Sequence, residues 1–159
     1  MNIGIIVHSQ TGHTLLVGER LSEKLQSDGH EVTLMRMQNI GSSETPQNPK
    51  DIKLDHIPET KGFDALIFGA WVQAFTLCPG FKIYLKQIPD FDTDNLSCFL
   101  TQQFPYKWMG GILALSQMKK LLTAKGATAT ESGVINWSNK KREKQIDDLV
   151  ARFSSQYNR

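Results

Sequence analysis

Two hydrophobic periods alternate along this chain. Ile3-Gly4-Ile5-Ile6-Val7 is a short apolar run rich in β-branched residues, the pattern of a strand buried on both faces in a parallel sheet. After a polar stretch, Leu15, Leu16, Leu21 and Leu25 recur at helical spacing, with Glu19, Arg20, Glu23 and Lys24 between them. Gly29 is placed to end that helix. Residues 31–37 alternate and predict a second strand. Residues 38–62 carry Pro46, Pro49 and Pro58 among Asn, Gln and Ser with no long apolar face, which predicts an extended, flexible connection with room for one helical turn. The run 63–69 is a third buried strand, and residues 80–88 form a helix that Pro79 opens. Residues 96–100 are a fourth strand. An amphipathic helix over 108–125 turns Leu113, Met118, Leu121 and Leu122 inward and stops at Gly126. Residues 127–137 read as a fifth strand interrupted by Glu131-Ser132-Gly133. The last helix, 139–155, buries Ile146, Leu149, Val150 and Phe153.

Strands that alternate with helices imply a parallel sheet joined by right-handed crossovers. Five such units in 159 residues fit one α/β domain spanning 1–159, a single doubly wound five-stranded parallel sheet of order 2-1-3-4-5. Ligands of such sheets bind beyond the carboxyl ends of the strands, at the switch point between strands 1 and 3. The loops after strands 1, 3 and 4 are therefore where chemistry is expected.

Composition narrows the function classes. Eighteen basic against sixteen acidic residues leave a formal charge of +2, too little to point to nucleic acid or an anionic membrane. The one basic cluster, Lys140-Lys141-Arg142, lies beside Glu143 and reads as a solvated helix start. Cys78 and Cys98 are far apart in sequence, in no metal or redox spacing, and suit a reducing compartment as free thiols. There is no basic leader and no run of membrane-spanning length, so a cytoplasmic protein is expected.

The first of the three loops carries the chemistry most clearly. Ser9, Gln10, Thr11, Gly12, His13 and Thr14 lie between a buried strand and a helix start, with three hydroxyls, one glycine and no acid. A helix start offers unpaired backbone N–H groups and a partial positive charge, which favour a phosphate. Ser9, Thr11 and Thr14 can donate hydroxyl hydrogen bonds, and Gly12 allows close backbone approach. The plain structural alternative is a helix cap with Thr14 as N-cap. The Gly-Lys-Ser/Thr of a nucleoside-triphosphatase loop and the G-x-G-x-x-G of dinucleotide sites are both missing. His13 is either a further phosphate donor or a solvent-facing residue, and His8 reads as structural.

Ser-x-Thr-Gly-x-Thr resembles the phosphate fingerprint of flavodoxins. Phe63-Asp64-Ala65-Leu66-Ile67-Phe68-Gly69-Ala70 is similar to the third strand of flavodoxins and related FMN-dependent quinone reductases, and Phe81-Lys82-Ile83-Tyr84-Leu85 to the helix that follows. Thr101-Gln102-Gln103 with Lys107-Trp108-Met109 resembles the second flavin loop. The resemblance covers nearly the whole chain and implies a flavodoxin-like fold, FMN as cofactor and redox function. It also implies a site. A flavin ring needs an aromatic or apolar wall and polar groups for its pyrimidine edge. Ala70, Trp71, Val72, Gln73 and Phe75 would supply one wall, with Trp71 or Phe75 stacking. Thr101, Gln102, Gln103 and Phe104 would supply edge donors and part of the other. Trp108 and Trp137 read as packing residues, Cys98 as core.

Two departures from an electron carrier of that family bear on function. Residues 70–79 and 101–109 contain no Asp or Glu, whereas carriers typically place carboxylates near the flavin. One charge about 10 Å away at an effective dielectric near 20 is worth roughly 1.7 kcal/mol, on the order of 70 mV for one electron. Residues 70–75 also lack the glycine whose backbone freedom favours one-electron chemistry. The expectation is electron transfer through non-covalently bound FMN, with a partner protein or a small quinone-like substrate as acceptor. The alternative is an NAD(P)H-dependent quinone or nitro-compound reductase. A signalling receiver of the same topology would need an acidic cluster after strand 1, where His8-Ser9-Gln10 stands instead.

Overall fold

The apolar runs assemble into one sheet because each is buried on both faces and has no solvent side to offer. In the computed structural model, which describes residues 1–40 and 51–159, strands β1 (Asn2–His8), β2 (Glu31–Met37), β3 (Ala65–Gln73), β5 (Leu96–Gln102) and β6 (Glu131–Asn136) lie parallel in the order β2-β1-β3-β5-β6. A two-residue strand, β4 (Thr76–Leu77), turns back antiparallel on the end of β3. Leaving β4 aside, the five main strands follow the expected 2-1-3-4-5 order. Register puts Ile6 beside Phe68 and Phe68 beside Cys98, so the centre of the sheet is dry.

Four helices cover the two faces. Helices α1 (His13–Ser27) and α4 (Arg142–Tyr157) pack together over Ile3, Ile5, Ile67 and Phe99. Helices α2 (Pro79–Gln87) and α3 (Gly111–Ala124) lie over Ile6, Leu66, Phe68 and Leu100. Within the sheet, Gly69 of β3 makes room for its β5 neighbour, since a Cβ there would overlap the Phe99 ring. Pro79 is the first residue of α2, as expected.

Several boundaries differ from the sequence expectation. Strand β3 continues through Ala70, Trp71, Val72 and Gln73, and β5 through Thr101 and Gln102, so much of the expected loop sequence is strand. Helix α3 begins at Gly111 rather than 108, and Ala114, Met118 and Leu122 form its buried face while Leu113 is exposed. Trp108 is 72% exposed and is not a packing residue. The triplet Glu131-Ser132-Gly133 begins β6 instead of interrupting a longer strand, and a Cβ at Gly133 would stand 2.7 Å from Leu149 Cδ1. The described part of the 38–62 connection is held at both ends. Asn39 bridges Leu54, and Tyr84 Oη donates to the Pro58 carbonyl at 2.7 Å. Pro46 and Pro49 lie outside the described residues.

Candidate functional site

Strand β1 ends on His8, and the chain then makes a tight loop into α1. The loop is built from its own groups. Ser9 Oγ accepts from the backbone N–H of Gly12 (3.2 Å) and Leu15 (3.3 Å). Gly12 takes φ 98°, a left-handed conformation that a side chain would strain, and it is the N-cap of α1. Thr14 is therefore not the cap; Gly12 has no side chain to offer, and the Ser9 hydroxyl takes the Leu15 amide of the first turn in its place. The Thr14 hydroxyl points instead across the sheet, 2.9 Å from Thr101 Oγ1.

The loop leaves backbone donors free. Among the described residues, the amides of Thr11, His13 and Thr14 find no protein acceptor, and the first turn of α1 holds no acid. Unpaired amides at a helix start carry the positive end of its dipole. A cation that the sequence reading overlooked stands behind them. Arg36, from β2, donates to the Ser9 carbonyl through Nε (3.1 Å) and Nη2 (2.9 Å). His13 neither faces solvent freely nor reaches across the loop. It stacks on Trp137 with centroids 3.8 Å apart and planes 10° off parallel, and the Arg142 guanidinium sits 4.7 Å from the Trp137 centroid. Partial burial, and then the nearby Arg142 charge, lower the pKa of His13. Arg142, read as part of a solvated helix start, is thus half-buried against Trp137.

Ahead of this loop lies a cavity of about 220 Å³. Gln10, Thr11, His13 and Thr14 line it from the first loop, Trp71 and Val72 from β3, and Thr101, Gln102 and Gln103 from β5 and the turn after it. Three segments far apart in sequence meet because the parallel order puts the ends of β1, β3 and β5 side by side. Ser9, Gly12, Ala70, Gln73, Phe75 and Phe104 do not line it. Phe75 and Phe104 instead stack on each other, 5.1 Å between centroids and 9° between planes, and both are exposed. A larger groove of about 630 Å³ lies between α2 and α3, bordered by Lys82, Lys86 and Lys120 and apart from the three loops.

Gln102 is the most informative polar residue here. Its Nε2 donates to the Tyr106 carbonyl (2.7 Å) and to Asn136 Oδ1 (2.6 Å), and Asn136 in turn receives orientation from Gln145. A carbonyl can only accept, so the amide nitrogen of Gln102 must face Tyr106. Its Oε1 is left buried with no partner among the described residues. A buried acceptor without a donor costs about 1–3 kcal/mol. Trp137 N–H to the Gln102 carbonyl (2.8 Å) and Ser138 Oγ to the Gln103 carbonyl (2.6 Å) hold this loop in place.

The turn between β3 and β4 is strained. Ala74 (φ 49°) and Phe75 (φ 65°) both adopt left-handed conformations, as a two-residue hairpin of this hand requires, and neither is glycine. The sequence lacks a glycine here, yet the backbone takes glycine's conformation anyway. Gly110 gives the tip room, since a Cβ there would stand 2.9 Å from Phe75 Cα.

Both cysteines are free and buried, and burial raises Cys78 to about 11 and Cys98 to about 12. Among the described residues, no helix is long and apolar enough to cross a membrane, and no cluster of three or more His, Cys, Asp or Glu could hold a metal ion.

Solved structures carry the same architecture. An oxidised flavodoxin 1 from Bacillus cereus matches with TM-score 0.67 and 14% identity over 99% of this chain and 97% of that one. A flavodoxin from the domain Archaea matches with TM-score 0.65 and 12% identity over the whole of both chains. A flavoprotein from Lactobacillus acidophilus, solved in complex with FMN, matches with TM-score 0.58 and 14% identity over 91% and 97%. No protein-family model and no curated protein sequence matches the chain. The fold is that of the flavodoxins.

Proposed function

We propose that this protein binds FMN non-covalently in the cavity at the ends of β1, β3 and β5 and passes electrons through it. The observation that carries the reading is the donor set at one end of the cavity: free amides at an acid-free helix start, with the Thr11 hydroxyl beside them. The flavoprotein solved with FMN has the same fold and supports the choice of ligand.

The residues divide the work. The amides of Thr11, His13 and Thr14 and the Thr11 hydroxyl bind the phosphate, with Arg36 adding positive potential through the Ser9 carbonyl it holds. Trp71 and Val72 wall the ring and keep water off it. Gln102 and Gln103 border the ring edge, and the Asn136–Gln145 pair keeps the Gln102 amide from flipping. Bound FMN supplies reversible one- and two-electron chemistry. The cavity is smaller than the roughly 300–1,000 Å³ of ordinary ligand sites. A flavin held here would leave part of its ring outside the cavity. The exposed pairs Phe75–Phe104 and Tyr106–Trp108 offer a redox partner protein apolar contact.

The test is direct. The purified protein is loaded with FMN, freed of excess flavin, and mixed anaerobically with NADPH and then NADH while the flavin band is followed. The expected result is one retained flavin that stays oxidised with both nucleotides and is reduced by dithionite. Bleaching by a nucleotide within seconds would replace the carrier reading with a reductase. Failure to retain any flavin would overturn the proposal altogether.

A further inference from the structure

His8 is fully buried at the end of β1, and its ring holds together groups from both halves of the cavity. Its Nδ1 lies 2.9 Å from Trp71 Nε1 and 3.8 Å from Cys78 Sγ. Its Nε2 lies 2.9 Å from Asn39 Oδ1. An indole N–H can only donate, and burial keeps the Cys78 thiol protonated, so Nδ1 must be the bare, accepting nitrogen. A neutral imidazole with a bare Nδ1 carries its proton on Nε2, which then donates to Asn39 Oδ1. Asn39 is also tied to the first loop, because its backbone N–H donates to Gln10 Oε1 at 2.7 Å. One unbroken run of hydrogen bonds thus links Gln10 to Trp71, and both residues line the cavity. The ring cannot shift to escape this role, since Gly80 packs so tightly on Nε2 that a Cβ there would overlap it.

We propose that His8, held as the Nε2–H tautomer between Asn39 and Trp71, is a positioning residue that fixes the Trp71 indole as a wall of the cavity. The proposal rests on the FMN reading for its functional consequence. His8 touches no ligand and acts through Trp71 alone. Without a Nδ1 acceptor the indole N–H is buried and unpaired, and the indole turns to find water. Protonated His8 has the same effect, because both ring nitrogens then donate. Facing groups that bear on its charge are Asp55, Arg36 and the Cys78 thiol.

Two substitutions separate this role from simple packing. His8→Leu keeps the bulk and removes the acceptor, whereas in His8→Asn the side-chain oxygen takes the place of Nδ1. Affinities are measured for FMN and for riboflavin, which presents the ring without the phosphate. Losing one hydrogen bond corresponds to about threefold to tenfold weaker binding. His8→Leu is expected to weaken both ligands by that same factor, and His8→Asn to stay within about twofold of the native protein. Unchanged affinities in His8→Leu would overturn the proposal. So would an equal loss in both variants, or a loss confined to FMN, which would place the damage in the phosphate loop. In ligand-free native protein, the indole N–H resonance assigned by Trp71→Phe is expected to exchange slowly with solvent. Fast exchange would overturn the anchoring whatever the flavin does. If native protein binds neither FMN nor riboflavin, the function reading falls, and the exchange measurement still decides whether His8 holds the indole.

Discussion

Thr11 is the residue at which the phosphate assignment can be tested with least disturbance to the fold. It lines the cavity, is exposed, and its side chain bonds nothing among the described residues. Thr14 is a poorer probe, because its hydroxyl is buried against Thr101 and a carboxylate there would be trapped without a partner. Taking a separation of about 6 Å and an effective dielectric near 20, two like charges repel by about 2.8 kcal/mol, on the order of a hundredfold in Kd. Thr11→Glu should therefore lose FMN affinity by about that factor, measured by flavin fluorescence quenching, with its urea midpoint unchanged. Retained affinity would move the phosphate away from this loop. At the same scale, Arg36 shows how a lysine-free loop gains positive charge from a neighbouring strand.

At the scale of elements, the β3–β4 hairpin stands out. Its two central residues hold left-handed conformations that cost L-residues roughly 1–2 kcal/mol each. Ala74→Gly removes that strain, and the greater freedom of glycine in the unfolded chain offsets part of the gain. A net stabilisation of about 0.5–1 kcal/mol is expected in denaturant unfolding, and a loss of stability would show that the turn is not strained. The hairpin was invisible to pattern reading because Thr76-Leu77 is too short to show a period. Strands β3 and β5 ran longer than expected for a related reason. Trp71, Gln73, Thr101 and Gln102 look like loop polarity in sequence, yet they pair across the sheet or into its hairpin at the end where side chains face the cavity.

Across the whole molecule, two titrating groups tie separate elements together and should shape stability against pH. Burial lowers the pKa of His8, which is native only when neutral. The unfolded state then binds the proton more readily, so its contribution is complete above the ordinary histidine value near 6.5 and is lost as pH falls below it. Asp28, at the end of α1, accepts from Lys24 and from Ser154 of α4, and these bonds lower its pKa to about 2. Its contribution is present above the ordinary carboxylate value and is lost as pH falls toward about 2. Thermal unfolding from pH 8 to pH 2 should show a first decline beginning near 6.5, absent in His8→Asn, and a second at the acid end, absent in Asp28→Asn. A flat profile between pH 7 and 5 would contradict the neutral His8 described here.

The sequence by itself determined the layers. Apolar runs at residues 3–7, 63–69 and 96–100 can be satisfied only inside a parallel sheet, and the leucine spacings of α1 and α3 require faces to bury against it. The strand-to-helix turn at residues 9–14, proposed here to hold a phosphate, was legible too, since hydroxyls, glycine and the change of period all fall within a few neighbouring residues. What only the tertiary structure decided were contacts between segments with no local signal. Arg36 behind Ser9, Trp137 and Arg142 beside His13, the Asn136–Gln145 brace on Gln102, and the His8–Trp71–Asn39 network all join residues from separate elements. Periodicity reports which face of an element is buried. Which side chain meets which across the sheet depends on strand order and register, and these are settled by packing the whole chain at once.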